Sequence, residues 1–430
     1  MSKFQMIVIG IFVVCIIAGV AAFAMFKGGS SSTALPQITV WGTFPKEVFD
    51  QYVSKINNTL PQSISIDYVQ KTTTQFSKDF IATLARGSGP DAILIPSDMI
   101  LPHMDKIVPI PYSALPQRDF MDTYIEESYM YLGQQGLYAL PFTVDPLIMY
   151  WNRDMFNSAG IATSPKYWDE FININKKLVT KDQKGNIRKT GLAMGEFVNV
   201  TNARELLGTL IMQLGNPITY TNNEGVTRSS LKMSFNPNPS KAVQFYTQFA
   251  DASQQLYSWN RGMPESKSYF LSGLLGTYFG FASEINDIRA KNPNLNFDAS
   301  AIPQVRSGGK KATFGRMYGL SIVRASKNAN ATFQVLSVIT SASALKMLSN
   351  TLYLPSVRRD VISAGSSDPY ISVFNEQALI AKSWLDIDPS SSFNIFRNMV
   401  ESVTSGSKNI NEALDDAGDQ YDNILRISNE

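Results

Sequence analysis

Apolar and polar positions alternate with a period of two through Ile38, Thr39, Val40 and Trp41 and stop at Gly42, which predicts a short β-strand. Beyond Pro45 the period lengthens. Val48, Phe49, Tyr52, Val53 and Ile56 recur at helical spacing, so a Pro-initiated helix reaching about Asn57 is expected. A second strand over 64–69, a helix over 74–85 and a third strand over 91–95 repeat the alternation. Strand and helix in this order predict a parallel, doubly wound sheet. Ligands of such sheets bind beyond the carboxyl ends of strands. That rule singles out Trp41, Thr43 and Phe44 after the first strand, and Pro96, Ser97 and Asp98 after the third. Asp98 is equally well read as a helix N-cap.

The stretch 136–171 changes the pattern. Two β-prone runs, 137–141 and 144–151, are separated by very little, and Pro146 interrupts the second. Proline cannot donate to a central ladder, so it marks an edge or a crossing. Asn152 and Asp154 can cap a helix, and Ser164-Pro165 can open another with Asp169 and Glu170 in its first turn. Asp145 therefore stands where one strand system hands the chain to a second.

Farther on, 181–189 is a charged hairpin or loop, 191–194 a short strand, and 201–213 a helix with Leu206, Leu207, Leu210 and Leu214 as its core stripe. An exposed hairpin over 216–233 and helical periodicity over 238–254 come next, without recognisable chemistry. The segment 257–288 is rich in aromatic residues: Trp259, Tyr278, Phe279 and Phe281 stand beside Ser283. Residues 410–425 close the chain as an amphipathic helix.

Composition narrows the function. A chain of 430 residues with 44% hydrophobic residues buries a large core in two or three domains. A net charge of +2 with 17% charged residues supplies no basic face for nucleic acid. One cysteine, Cys15, excludes a disulfide scaffold and a cysteine metal site. The single histidine, His103, sits in a Leu-Pro-His-Met turn and removes most histidine ligation. No adjacent Tyr-Tyr pair offers a ferric site. No metal and no cofactor is expected.

Residues 6–26 carry no charge and are flanked by Lys3 and Lys27. The run is long enough to span a bilayer and longer than an ordinary signal h-region. It is expected to be an uncleaved transmembrane anchor. Cleavage after Ala24 and lipidation at Cys15 are the alternatives, and each exports the remainder of the chain. Residues 28–35 read as a flexible tether.

The order of these motifs resembles the family 1 extracellular solute-binding proteins, the maltose-binding-protein-like receptors of ABC importers. The resemblance covers about residues 36–428. It rests on the Gly-Pro-Asp strand at 89–95, on the stretch 136–171 with Asp145, Tyr150, Asn152, Trp168 and Glu170, and on the aromatic return at 268–285. It rests also on 314–323 with its Ser-Lys-Asn at 326–328, on the Pro-x-x-Arg-x-Asp loop around Arg358, and on Trp384. It implies an α/β, two-lobed periplasmic-binding-protein type 2 fold with three interlobe crossovers near residues 143, 275 and 320, preceded by the N-terminal transmembrane helix. One lobe would hold 36–142 and 275–320, the other 143–274 and 321–430.

The implied function is capture of a small solute, foremost a carbohydrate, in the interlobe cleft of a monomer, with subsequent delivery to an ABC permease. Sugars present flat apolar faces and a rim of hydroxyls, so aromatic platforms beside carboxylates and hydroxyls suit them. The expected ligand-binding residues are Trp41, Thr43, Phe44, Asp98, Asp145, Trp259, Tyr278, Phe281, Ser283, Arg316, Tyr318 and Trp384. The membrane anchor would hold the soluble part on the extracytoplasmic side. An exported carbohydrate-active hydrolase with Asp98 and Asp145 as paired carboxylates, and a receptor that signals to a membrane kinase, are the competing readings.

Overall fold

The computed structural model describes residues 37–60, 64–222, 224 and 226–427. The anchor expected at 6–26 and the tether at 28–35 lie outside the described residues. The alternating opening forms β1 (Ile38–Gly42), α1 (Lys46–Thr59), β2 (Ile66–Gln70), α2 (Thr73–Ala85) and β3 (Ala92–Pro96). β1 pairs in parallel with both β2 and β3. The helical stripe of α1 buries Phe49, Tyr52 and Ile56.

The two runs expected over 137–141 and 144–151 are one strand, β4 (Leu140–Asn152). After α3 (Phe171–Leu178) come the two-residue β5 (Thr180–Lys181), β6 (Ile187–Leu192), α4 (Ala203–Gln213), β7 (Leu275–Phe281) and β8 (Thr313–Val323). The chain continues through α5 (Ala329–Ile339), α6 (Ala342–Leu352), α7 (Pro389–Thr404) and α8 (Ile410–Ile427). The main sheet runs β2-β1-β3-β8-β4-β7-β6-β5. β8 is antiparallel to both β3 and β4, so the sheet is mixed at its centre.

Two hydrophobic cores lie along this sheet. The first gathers buried residues from Ile38 to Val144 and from Met317 to Leu348, with Val357, Ala378 and Ala381. The second gathers those from Leu147 to Phe314 and from Trp384 to Leu425, with Leu354, Ile371 and Phe374. β4 changes core between Val144 and Leu147, and Pro146 sits at the change, opposite Gly315 of β8. β8 changes core between Phe314 and Met317.

This corrects two of the expected boundaries. Residues 275–314 belong to the second core and 322–348 to the first, the reverse of the expected division. No crossing occurs near 275, because β7 pairs with the second-lobe part of β4 and with β6. The remaining passage lies between Leu348 and Trp384, where the chain touches both cores before ending in the second.

Among the described residues no single helix is long and apolar enough to cross a membrane; α5 and α6, bent by 63°, reach that mark only together. Both contribute buried side chains to the first core, among them Val335, Leu336, Leu345 and Leu348.

Candidate functional site

Where β4 and β8 change core they lie side by side, with Asp145 opposite Arg316 and Thr143 opposite Tyr318. The pairing slips by one residue just beyond Tyr318, leaving Phe142 as the extra residue on β4. Bulges of this kind bend a strand and re-aim its side chains. Here Phe142 packs against Phe44, Phe49 and Tyr52 of the first core. Tyr318 meets Phe44 edge-on, with ring centroids 4.7 Å apart. Gly319 is required at the slip, because a Cβ there would stand 2.8 Å from the Tyr131 hydroxyl.

Asp145 is 5% exposed. Its carboxylate accepts from the Ser283 amide at 3.0 Å and the Ser283 hydroxyl at 2.6 Å. Ser283 itself is exposed and lies just past the end of β7. Glu284 fixes that turn: its carboxylate accepts from the Phe281 amide at 2.8 Å, from the Tyr278 hydroxyl at 2.7 Å and from Lys267 at 2.6 Å. Burial pushes the Asp145 carboxyl up to about 6, against the Ser283 hydrogen bonds and the charge of Arg316. Burial also raises Asp98, against Arg316 and Arg204. Among the described residues one Asp98 oxygen is buried without a hydrogen-bond partner. Such an oxygen carries an unmet demand for a donor.

Arg316 lies 4.5 Å over the Phe281 ring. Desolvation works against its charge, but Tyr318, Asp145, Glu205 and Asp98 outweigh that and hold its pKa above the usual value. Among the described residues it makes no ion pair within 4.0 Å. Phe44, Asp98, Asp145, Phe281, Ser283, Arg316 and Tyr318 are thus gathered at or beside the change of core, and Thr43 precedes Phe44 in the bend after β1.

The other expected residues sit elsewhere. Trp259 is fully buried in the second core, edge-on to Tyr269, and cannot offer a face to a solute. Tyr278 is 1% exposed, stacked between Tyr150 and Phe270, and it serves the site only by its bond to Glu284. Large flat rings bury too much apolar area to be left at a wet surface when a core lies beside them. Trp384 packs between Phe314 and Phe396, and its indole N–H donates to the Tyr421 hydroxyl at 2.8 Å. Trp41 is half-buried under Lys71, whose ammonium stands 4.1 Å from the ring centroid.

The helix α4 carries what sequence reasoning missed. Asn202 precedes it in the left-handed conformation, φ 58°, and its amide group donates to the Phe279 carbonyl and to Glu284, both at 3.2 Å. Asparagine tolerates that conformation better than most residues. This places Arg204 and Glu205 in the first turn, both buried. Arg204 pairs with Glu205 at 2.8 Å and with Asp386 at 2.7 Å, and it reaches the Ser392 hydroxyl at 3.3 Å. Burial pushes Asp386 up to about 6, opposed by Arg204. Asp386 is raised further by Asp98, and Arg316 is raised by Glu205, so the second lobe's charges face those of the crossover. The legible signal was an Arg-Glu pair opening an otherwise apolar helix. The leucine stripe masked it.

Residues 51–371 match the sequence model of a family described as bacterial extracellular solute-binding protein. The chain belongs to that family. Binding proteins of Brucella abortus and Brucella suis are 23% identical over 375 residues, covering 83% of this chain and 83% of theirs. Among solved structures, the sugar-binding protein MalE from Xanthomonas citri is similar with a TM-score of 0.74 at 17% identity, over 92% of this chain and 98% of that one. A cyclo/maltodextrin-binding protein complexed with maltotetraose gives 0.72 at 14% identity, over 93% and 99%. The GacH receptor of Streptomyces glaucescens, solved unliganded and with acarbose, gives 0.68 at 16% identity, over 91% and 98%. At these identities the structures establish the two-lobed fold of a solute-binding protein, and the family places its members outside the cytoplasm.

Proposed function

We propose that this solute-binding protein captures a small carbohydrate between its lobes and delivers it to an ABC permease, without chemically changing it. The observation that carries the reading is the crossover itself: Asp145 held by Ser283, beside Arg316 over Phe281 and Tyr318 against Phe44. Carboxylate, guanidinium and hydroxyls supply hydrogen bonds to a polyol, and the ring of Tyr318 supplies an apolar face. Asp98, with its unpartnered oxygen, is the first-lobe acceptor for a solute hydroxyl. The solved relatives with maltotetraose and with acarbose support a carbohydrate.

Both strands that carry the site also connect the lobes, so a solute that binds the closed arrangement better shifts the population toward it. A transmembrane segment at 6–26 would keep the receptor beside its permease. The test is a thermal-shift screen with mono- and oligosaccharides. Solute at about 100 times its Kd adds about 2.7 kcal/mol, and Asp145→Asn should cut that shift by about half or more. A sugar consumed during incubation would refute binding without chemistry, and an equal shift in the variant would refute the site.

A further inference from the structure

The end of α3, the strand β5, the turn after it and β6 carry Lys176, Lys177, Lys181, Lys184, Arg188 and Lys189, all exposed. Asp182 is the one carboxylate in 176–189. It is already taken, by the amides of Lys184 and Asn186, each at 2.9 Å, and by Arg188 at 2.8 Å. Among the described residues the five lysine ammonium groups enter no ion pair, and only that of Lys181 has a side-chain neighbour of this kind, the Tyr257 ring at 5.5 Å. Six cations against one carboxylate leave +5 here, whereas the whole chain carries +2, so the rest of the protein is net −3. Charge this concentrated makes a directed field.

Position and surroundings sharpen the point. β5 is the last strand of the sheet at the second-lobe end, away from the crossover. Two cavities of about 470 and 670 Å³ share Thr180 and Lys189 as lining. The larger is lined also by Arg188, Asn186, Asn260 and Tyr257 and by no carboxylate. None of the exposed large apolar residues falls within 176–189. Protein interfaces depend on buried aromatic or arginine anchors, and this face offers mostly flexible lysines. Clusters of four to eight such cations suit a surface of lipid phosphates.

We propose that the 176–189 face docks on anionic phospholipid headgroups, laying the far edge of the second lobe on a membrane while leaving the interlobe site free. Lysines on an edge strand also prevent strand-to-strand association. Charge reversal separates the two roles, because glutamates protect an edge equally well but repel phosphate.

The test uses residues 37–430, which contain every described residue of both cores, with vesicles of phosphatidylcholine alone or mixed with phosphatidylglycerol. The parent should sediment with the mixed vesicles at low salt, not with the neutral ones, and should be released at high salt. Each lysine contributes about fivefold to such binding. The K181E/K184E/K189E variant should therefore lose more than about a hundredfold in affinity while melting like the parent and staying monomeric. Binding to neutral vesicles, binding retained by the variant, or no binding by the parent would each overturn the proposal. Association with an acidic protein in the absence of any lipid binding would make the face a protein interface instead.

Discussion

Two arginines sit near the meeting of the lobes and have opposite surroundings. Arg204 is saturated: two carboxylates, a hydroxyl and a carbonyl surround its guanidinium. Arg316 has a ring beneath it and Tyr318 beside it, with Asp145 and Asp98 within electrostatic reach but no ion pair within 4.0 Å among the described residues. Burying a charge is costly unless its hydrogen-bonding capacity is met. Arg204 meets that condition internally, so its network is architecture. Among the described residues Arg316 does not, and on the proposed reading a solute uses the remaining capacity.

The largest expected effect lies on the saturated side. Arg204→Ala leaves Glu205 and Asp386 buried without their cation, and removing one partner of such a group costs about 3–5 kcal/mol. Thermal or urea unfolding should show the loss, and an unchanged melting temperature would dissolve the distinction between the two arginines.

A buried carboxyl with no arginine partner ranks second. Burial pushes Glu127 up to about 8, against the hydroxyl of Ser383 and the charge of Lys382. Its folded pKa lies above an unfolded value near 4.3, so the folded state holds a proton that the unfolded state has released. Stability therefore falls as pH rises between about 4.3 and 8. Glu127→Gln keeps an acceptor for Ser383 and removes that slope, with a gain of about 3 kcal/mol at neutral pH. Melting curves across this range check it; parallel curves for parent and variant would show that Glu127 is charged in the folded protein.

On the unsaturated side the effects are on binding. Asp145→Asn should weaken sugar binding about tenfold or more, the worth of a charge-assisted hydrogen bond, with little change in melting temperature. Titration calorimetry with the best sugar of the screen measures it. Tyr318→Phe keeps the ring against Phe44 and removes only the hydroxyl, so a severalfold loss is expected. If the two variants changed stability and left affinity alone, the crossover would be as structural as the Arg204 network.

Much of the fold was legible in the sequence because it depends on local periodicity. The opening strands and helices track the apolar spacing closely, and Pro146 correctly marked a crossing. The assignment of 275–314 to a lobe was not legible. Local spacing shows that 275–281 is a strand, but which core it joins depends on its pairing with β4 and β6. The same limit explains the site. Asp145, Arg316 and Tyr318 were readable at a strand junction, whereas Trp259 and Tyr278 looked like platforms and proved to be core.

Residue type and spacing were enough to set most of the elements and to put two acids and an arginine at the junction, because each of these is a local property of the chain. Which aromatics belong to the core, and that Arg204, Glu205 and Asp386 meet, was settled by packing. Arg204 and Asp386 stand 182 residues apart in the chain. Burial and charge satisfaction are properties of what lies across the packed interface, and no local pattern encodes them.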